Sequence, residues 1–123
     1  SGLCIVSLKN KPGIYSARLA AKHGSFLKAM QLILKKMNSI KNRKAFFVCS
    51  LSFKEKKGEI ITVQGKLMGK ISKSIKGKKG FGYDPIFIPS KYQITFGQMT
   101  KNKKIKMDHR FLAFQKLRKK IKI

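Results

Sequence analysis

Acidic side chains are what this sequence most lacks. Asp and Glu total 4 against 30 Lys and Arg, a formal net charge of +26 over 123 residues. The four acids are Glu55, Glu59, Asp84 and Asp108. Their dispersal along the chain gives no sign of a carboxylate cage for Mg²⁺, so the sequence by itself offers no metal ligands. Cysteine and histidine occur twice each, at positions that do not match a zinc-site spacing. Cys4 and Cys49 both lie in apolar stretches, LCIV and FFVCSL, and read as buried reduced thiols rather than a disulfide. No apolar run approaches the roughly 18–20 residues of a membrane span. The opening SGLCIVSLKNKPG lacks the charged-then-apolar layout of a signal peptide, and Ser1 in place of Met reads as a cut end. There is no Gly-x-x-x-x-Gly-Lys-Ser/Thr loop, internal repeat or low-complexity linker. A cytoplasmic protein without membrane contact is the expectation.

Hydrophobic residues make up 42% of the chain, enough for a real core, and residues 1–123 suit a single domain. The basic excess attracts polyanions. Arg supplies only four of the cations (Arg18, Arg43, Arg110 and Arg118), and Arg is the side chain that reads phosphate and guanine bidentately. Lys, Ile, Phe and Asn are also what A/T-rich codons encode. A small basic nucleic-acid-binding module without hydrolytic activity is therefore the alternative reading rather than the leading one.

Pattern and punctuation place the elements. LCIVSL, 3–8, reads as a strand, followed by a turn at KNKPG. Ser16 or Ser25 can cap a helix. From Ser25 to Asn38 the residues Phe26, Leu27, Met30, Ile33, Leu34 and Met37 fall at helical spacing and are expected in the core. His23 lies in a helical stretch without a catalytic partner and reads as structural. KAFFVCSLSFK, 44–54, and EIITVQGKLMGKI, 59–71, read as paired strands joined by EKKGE. A strand is expected after Pro85, and YQITFGQM, 92–99, reads as a loop and a short extended piece. From Asp108 the apolar residues Phe111, Leu112, Phe114, Leu117 and Ile121 predict a helix with Asp108 at its N-cap. The order β-α-α-β-β-loop-β-α makes this an α/β or α+β domain.

Two clusters carry chemical interest. In GKKGFGYDPIFIP, glycines flank Phe81, and Gly82 lets backbone approach a ligand closely. Phe81 and Tyr83 offer faces to a purine, and Asp84 can accept from ring N–H or amino groups. The same residues also read as a glycine-aromatic turn capped by Asp84. His109 and Arg110, at a helix start, suit phosphate or base-edge contacts, or a plain solvated helix start. Spacing does not show that the two clusters meet.

The ordered series SGL, PGIYSAR, KAFFVCSL, GKLMGKI, KGFGYDPIFIP, TFGQM and DHR resembles the inosine triphosphate pyrophosphatase family over nearly the whole chain. GFGYDPIF is its most specific element. The resemblance implies an α/β fold, a mixed sheet flanked by helices, here missing its N-terminal strand-helix portion. The chain would be the C-terminal two thirds of a dITP/XTP pyrophosphatase. It implies a homodimer and Mg²⁺-dependent hydrolysis of ITP, dITP or XTP to monophosphate and pyrophosphate. It further implies that Phe81 stacks on the base, that Gly82, Tyr83 and Asp84 shape and read its edge, and that His109 and Arg110 face it. Lys104 matches the lysine preceding the family's Ser-His-Arg motif, and Ser1 belongs to the family's Asp-Asp-Ser-Gly-Leu. The catalytic, metal-linked Asp would stand just before Ser1; the upstream phosphate loop and a further metal-binding Glu are also unrepresented. The chain departs from the family at Gln98 (usually Glu), Asp108 (usually Ser), Ile105 (usually Asn) and Gln64. Asp108 is the departure expected to place an anion near the base. This chain alone is expected to carry base recognition without useful catalysis.

Overall fold

A computed structural model describes residues 1–121. Its strands are β1 (Gly2–Ile5), β2 (Lys11–Gly13), β3 (Lys44–Lys54), β4 (Ile60–Ile71) and β5 (Phe87–Pro89). Its helices are α1 (Ser16–His23), α2 (Phe26–Lys36), α3 (Lys101–Ile105) and α4 (His109–Ile121). The α/β class is borne out. The strands form one sheet in the order β2-β1-β3-β4-β5, and every pairing is antiparallel, so the sheet among the described residues is not the mixed one expected.

Alternation in β3 and β4 decides which face is covered. Successive side chains point to opposite sides. In β3, Ala45, Phe47 and Cys49 are buried; their β4 partners are Gly69, Leu67 and Gly65. Leu3 and Ile5 of β1 pair with Phe47 and Ala45 and so share that face. Ala20 from α1, Ala29, Met30 and Ile33 from α2, and Met37 just after it complete the core. The other face is more open: Met68 is 48% exposed and Lys66 Nζ lies 4.8 Å from the centroid of the Phe46 ring. Cys4, paired with Phe46, and Cys49 therefore belong to opposite faces, and both are buried free thiols, as expected.

The hairpin 55–59 turns at Gly58, as the sequence predicts, and β3 and β4 pair over their full length from Lys44↔Lys70 to Lys54↔Ile60. Other expectations are corrected. The strand read over 3–8 ends at Ile5, and Val6–Leu8 coil into a 3₁₀ turn. The chain reverses there, with Lys9 and Asn10 in left-handed conformations, so that Lys11–Gly13 can pair back onto β1. Pro12 and Gly13 thus lie in a strand rather than in the turn. After Tyr83, residues 84–86 form another 3₁₀ turn before β5 begins at Phe87. Ser25 caps α2 by accepting from Lys28 N, whereas Ser16 is the first residue of α1 and does not cap it.

Two expected core positions are also corrected. Phe26 and Leu27 are 39% and 52% exposed, because the first turn of α2 runs past the surface that buries Met30 and Ile33. On α4 the fully buried residue is Ala113, while Phe114 is 49% exposed. A small residue is needed where the helix meets β3 and β4 closely. Arg43 ties the end of the sheet to the end of α2: its guanidinium donates to the carbonyls of Met37, Ile71 and Ser72 at 2.9, 2.8 and 2.7 Å.

Candidate functional site

The turn 80–84 is built on two glycines with positive φ, Gly80 at 73° and Gly82 at 61°. A side chain at Gly80 would collide with Asp84 Oδ2, so the turn closes only with glycine there. Asp84 accepts from Phe81 N at 3.0 Å and from Lys104 Nζ at 2.5 Å, both on Oδ2. Oδ1 is left free of any protein hydrogen bond among the described residues. The contacts that cap the turn thus fall on one oxygen of the carboxylate. Asp84 and Lys104 are 3% and 5% exposed, a buried ion pair. Burial pushes the Asp84 carboxyl above its ordinary range; the bonds from Lys104 and Phe81 N and the charge of Arg110 pull the other way.

The two sequence clusters do meet. Phe81 is 60% exposed, and its ring lies 4.1 Å from Lys104 Nζ and 4.8 Å from the Arg110 guanidinium carbon, centroid to atom. Both distances are cation–π contacts. His109 comes from the first turn of α4 and stacks on Phe47 of β3, centroids 4.8 Å apart and planes 17° apart. Its Nε2 lies 3.1 Å from Ser1 Oγ. Its Nδ1 is the one buried side-chain polar atom among the described residues without a hydrogen-bond partner. Burial, then the charge of Arg110, brings His109 down to about 4; Asp108 pulls it up and Lys104 pushes it down. The ring is therefore neutral at physiological pH, with one N–H to give and one lone pair to offer.

Tyr83 is 3% exposed and donates its hydroxyl to the Ser16 carbonyl at 2.6 Å. Burial pushes its phenol up to about 12, so it stays a donor. The Ser16 hydroxyl in turn donates to Gly13 O at 2.6 Å and accepts from Leu3 N at 2.9 Å. Ser16 therefore joins the start of β1, the end of β2 and the turn 80–84.

These segments enclose a cavity of about 140 Å³ bordered by Ser1, Phe81, Gly82, Tyr83, Asp84, Lys104, His109 and Arg110. All eight residues singled out in the sequence reach it. Reading the sequence missed six others that line it: Gly2, Leu3, Ser16, Ala17, Phe26 and Phe47. Phe47 carries the period-2 signature of a core strand and nothing more. A larger groove of about 450 Å³, floored by Leu8, Leu19 and Ile33 and edged by Lys11, Arg18 and Lys22, offers no carboxylate or imidazole.

Asp108 Oδ1 accepts from Phe111 N at 2.8 Å, so the carboxylate caps α4 as expected; Asp108 borders the neighbouring groove, and its charge acts on His109 at the edge of the cavity. Gln98 serves locally: its Oε1 accepts from Thr95 N at 3.0 Å in a capping box, a task an amide performs as well as a carboxylate. The described residues do not fit a Mg²⁺ ion. No group of three or more His, Cys, Asp or Glu side chains could hold one, and Asp84 is already neutralised by Lys104. No helix is long and apolar enough to cross a membrane among the described residues.

Residues 1–120 match the Ham1 family. The dITP/XTP pyrophosphatase of Clostridium tetani is 42% identical over 122 residues, which are 99% of this chain and 61% of that protein. That of Borreliella burgdorferi is 43% identical over 125 residues, 97% of this chain and 62% of its own. The structure of the Staphylococcus aureus Ham1 protein superposes with a TM-score of 0.92 at 35% identity, covering 98% of this chain and 63% of that one. The chain thus spans about three fifths of the length of the curated relatives it matches. With the motif series, the sheet and the cavity all in agreement, the chain belongs to the Ham1 family.

Proposed function

We propose that this chain forms the base-recognition part of an enzyme that hydrolyses the non-standard purine nucleotides ITP, dITP and XTP to monophosphate and pyrophosphate. The observation that carries the reading is the meeting of the 80–84 turn with Lys104, His109 and Arg110 around one cavity. The names of the relatives, dITP/XTP pyrophosphatase, support the substrate class.

A 6-oxopurine carries a proton on N1 and an oxygen on C6; adenine has a bare N1 and an amino group. Asp84 Oδ1 is an acceptor suited to the N1–H and repels a bare N1. Phe81 offers an exposed ring for stacking, and Gly82 allows the base to approach the backbone. Arg110 can donate toward the oxygen, beside the neutral ring of His109. Lys104 holds Asp84 ionised and in place. Ser1 fixes the imidazole from the other side.

Mg²⁺, a catalytic Asp just ahead of Ser1, the homodimer and a cytoplasmic setting belong to this proposal for the complete enzyme. The donor set here gives no ground for routing a step through the metal. The chain alone is expected to bind inosine monophosphate in preference to adenosine monophosphate and to turn over neither triphosphate. Calorimetric titration with both monophosphates tests the first expectation; a phosphate-release assay with ITP and Mg²⁺ tests the second. Equal affinity for the two bases would remove the recognition reading. A steep loss of affinity with salt and no base preference would favour a nucleic-acid module instead.

A further inference from the structure

Phe26 belongs by spacing to the buried stripe of α2, yet its side chain is 39% exposed. It opens the helix directly after Ser25, whose hydroxyl accepts from Lys28 N and sets the direction of the first turn. The Phe26 ring stands edge-on to Tyr83, with centroids 5.1 Å apart and planes at 85°. Tyr83 is itself immobilised by its bond to Ser16. A Cβ built on Gly82 would meet Phe26 Cε1 at 3.6 Å, so the ring lies over the backbone next to Phe81. Phe26 and Phe81 are the two exposed phenylalanines that border the base cavity. They reach it from different elements, one from α2 and one from the glycine turn. An exposed aromatic at a helix start adds nothing to that helix that a lysine would not. Its orientation against Tyr83 and Gly82 makes it a fixed wall.

We propose that Phe26 is a second aromatic wall of the base pocket and a specificity-determining residue. This rests on reading the cavity as a base site. Phe26 presents a flat apolar surface without donors or acceptors, which suits a planar bicyclic base and is indifferent to its exocyclic groups. Its second effect is to exclude water from the contact between the base edge and Asp84 Oδ1. A mismatched edge then faces the carboxylate without a bridging water, and the cost of the mismatch rises. Phe26 therefore strengthens binding of 6-oxopurines and widens their margin over adenine. A residue that only filled space in the fold would not change that margin.

The test is a nuclear magnetic resonance titration of the full chain carrying ¹³C-labelled phenylalanine, with inosine and adenosine monophosphates as probes. The Phe26 ring signal is identified by its loss in Phe26→Leu. It is expected to shift on adding inosine monophosphate. Phe26→Ala should weaken that binding about tenfold, in the range of one lost base–aromatic contact, while Phe26→Tyr stays within about twofold of the parent. The preference for inosine over adenosine monophosphate should narrow in Phe26→Ala. If the Phe81 signal moves on titration while Phe26 stays still, and Phe26→Leu binds both nucleotides as the parent does, Phe26 is not part of the pocket. If the parent chain binds neither nucleotide, the base-site reading itself fails and this inference falls with it. The Phe26 ring signal can also be assigned in the unmutated protein by through-bond correlation to its backbone, so poor folding of a variant does not spare the proposal.

Discussion

His109 makes the stability of this chain depend on pH in a way that can be worked out in advance. The imidazole has an ordinary value of 6.5 and is brought to about 4 in the fold, chiefly by burial and then by Arg110. Between those two values the unfolded chain binds a proton that the folded chain refuses. Stability from this group is complete above 6.5 and is lost as pH falls toward 4. At about 1.4 kcal/mol per pH unit, the full loss is about 3 kcal/mol, and about 2 kcal/mol of it falls between pH 7 and pH 5. The charged groups around the ring are Arg110, Lys104 and the amino group of Ser1, which oppose protonation, and Asp108, which favours it. Asp84 acts with the opposite sign, because its folded value is raised: its protonation on acidification favours the fold. Comparison with His109→Gln separates the two, since that variant keeps Asp84 and removes only the imidazole. Urea unfolding at a series of pH values should show the parent losing about 2 kcal/mol more than His109→Gln between pH 7 and pH 5. Parallel profiles would refute the reasoning. So would a His109 ring-proton titration with its midpoint near 6.5.

Two further predictions concern the polar groups that hold the site. Asp84→Leu leaves the Lys104 ammonium buried without its partner and should cost about 3–5 kcal/mol in urea unfolding, whereas Asp84→Leu combined with Lys104→Met should recover most of that loss; a single-variant cost below about 1 kcal/mol would mean that the pair is not the buried ion pair described. Arg43→Lys should cost roughly 2 kcal/mol by the same assay, because a point-like ammonium cannot reach the carbonyls of Met37, Ile71 and Ser72 together, and a variant as stable as the parent would show that one of those bonds suffices.

What the sequence revealed and what it hid follow from the range of the forces involved. The hairpin of β3 and β4 was legible because alternation, chain length and a glycine turn all act within a few residues of one another. The capping roles of Ser25 and Asp108 were legible for the same reason: donor and acceptor are three residues apart. The stripe of α2 was legible in its middle, at Met30 and Ile33, but not at its start. Helical spacing identifies a face without saying how far along the axis another surface exists to cover it. The bend at Val6–Leu8 was hidden because an apolar run does not show where the chain must turn back to supply the β2 partner of β1. Above all, spacing could not join Asp84 to Lys104 or Phe47 to His109. Those contacts depend on where α4 settles against β3 and β4. Family resemblance supplied the grouping, and the distances now supply its physical content.

The scarcity of acids gives the last step. Of four carboxylates, Glu55 and Glu59 flank the exposed turn of the hairpin, and Asp84 and Asp108 are 3% and 5% exposed. A chain with so much positive charge has no need to bury an anion for solubility, and burial raises the cost of the Asp84 charge. The two buried carboxylates nevertheless have distinct duties within a few residues of the pocket. Asp108 is consumed by the N-terminus of α4, which orients His109 and Arg110. Asp84 is consumed on one oxygen only, by Lys104 and the Phe81 amide. Its Oδ1 makes no hydrogen bond to the described residues and is open to a partner from outside them. Here the spare oxygen belongs to a side chain that borders a cavity with an exposed aromatic ring and a neutral imidazole. That is the arrangement expected where a planar ligand with a polar N–H edge is meant to complete the hydrogen bonding that the protein leaves undone.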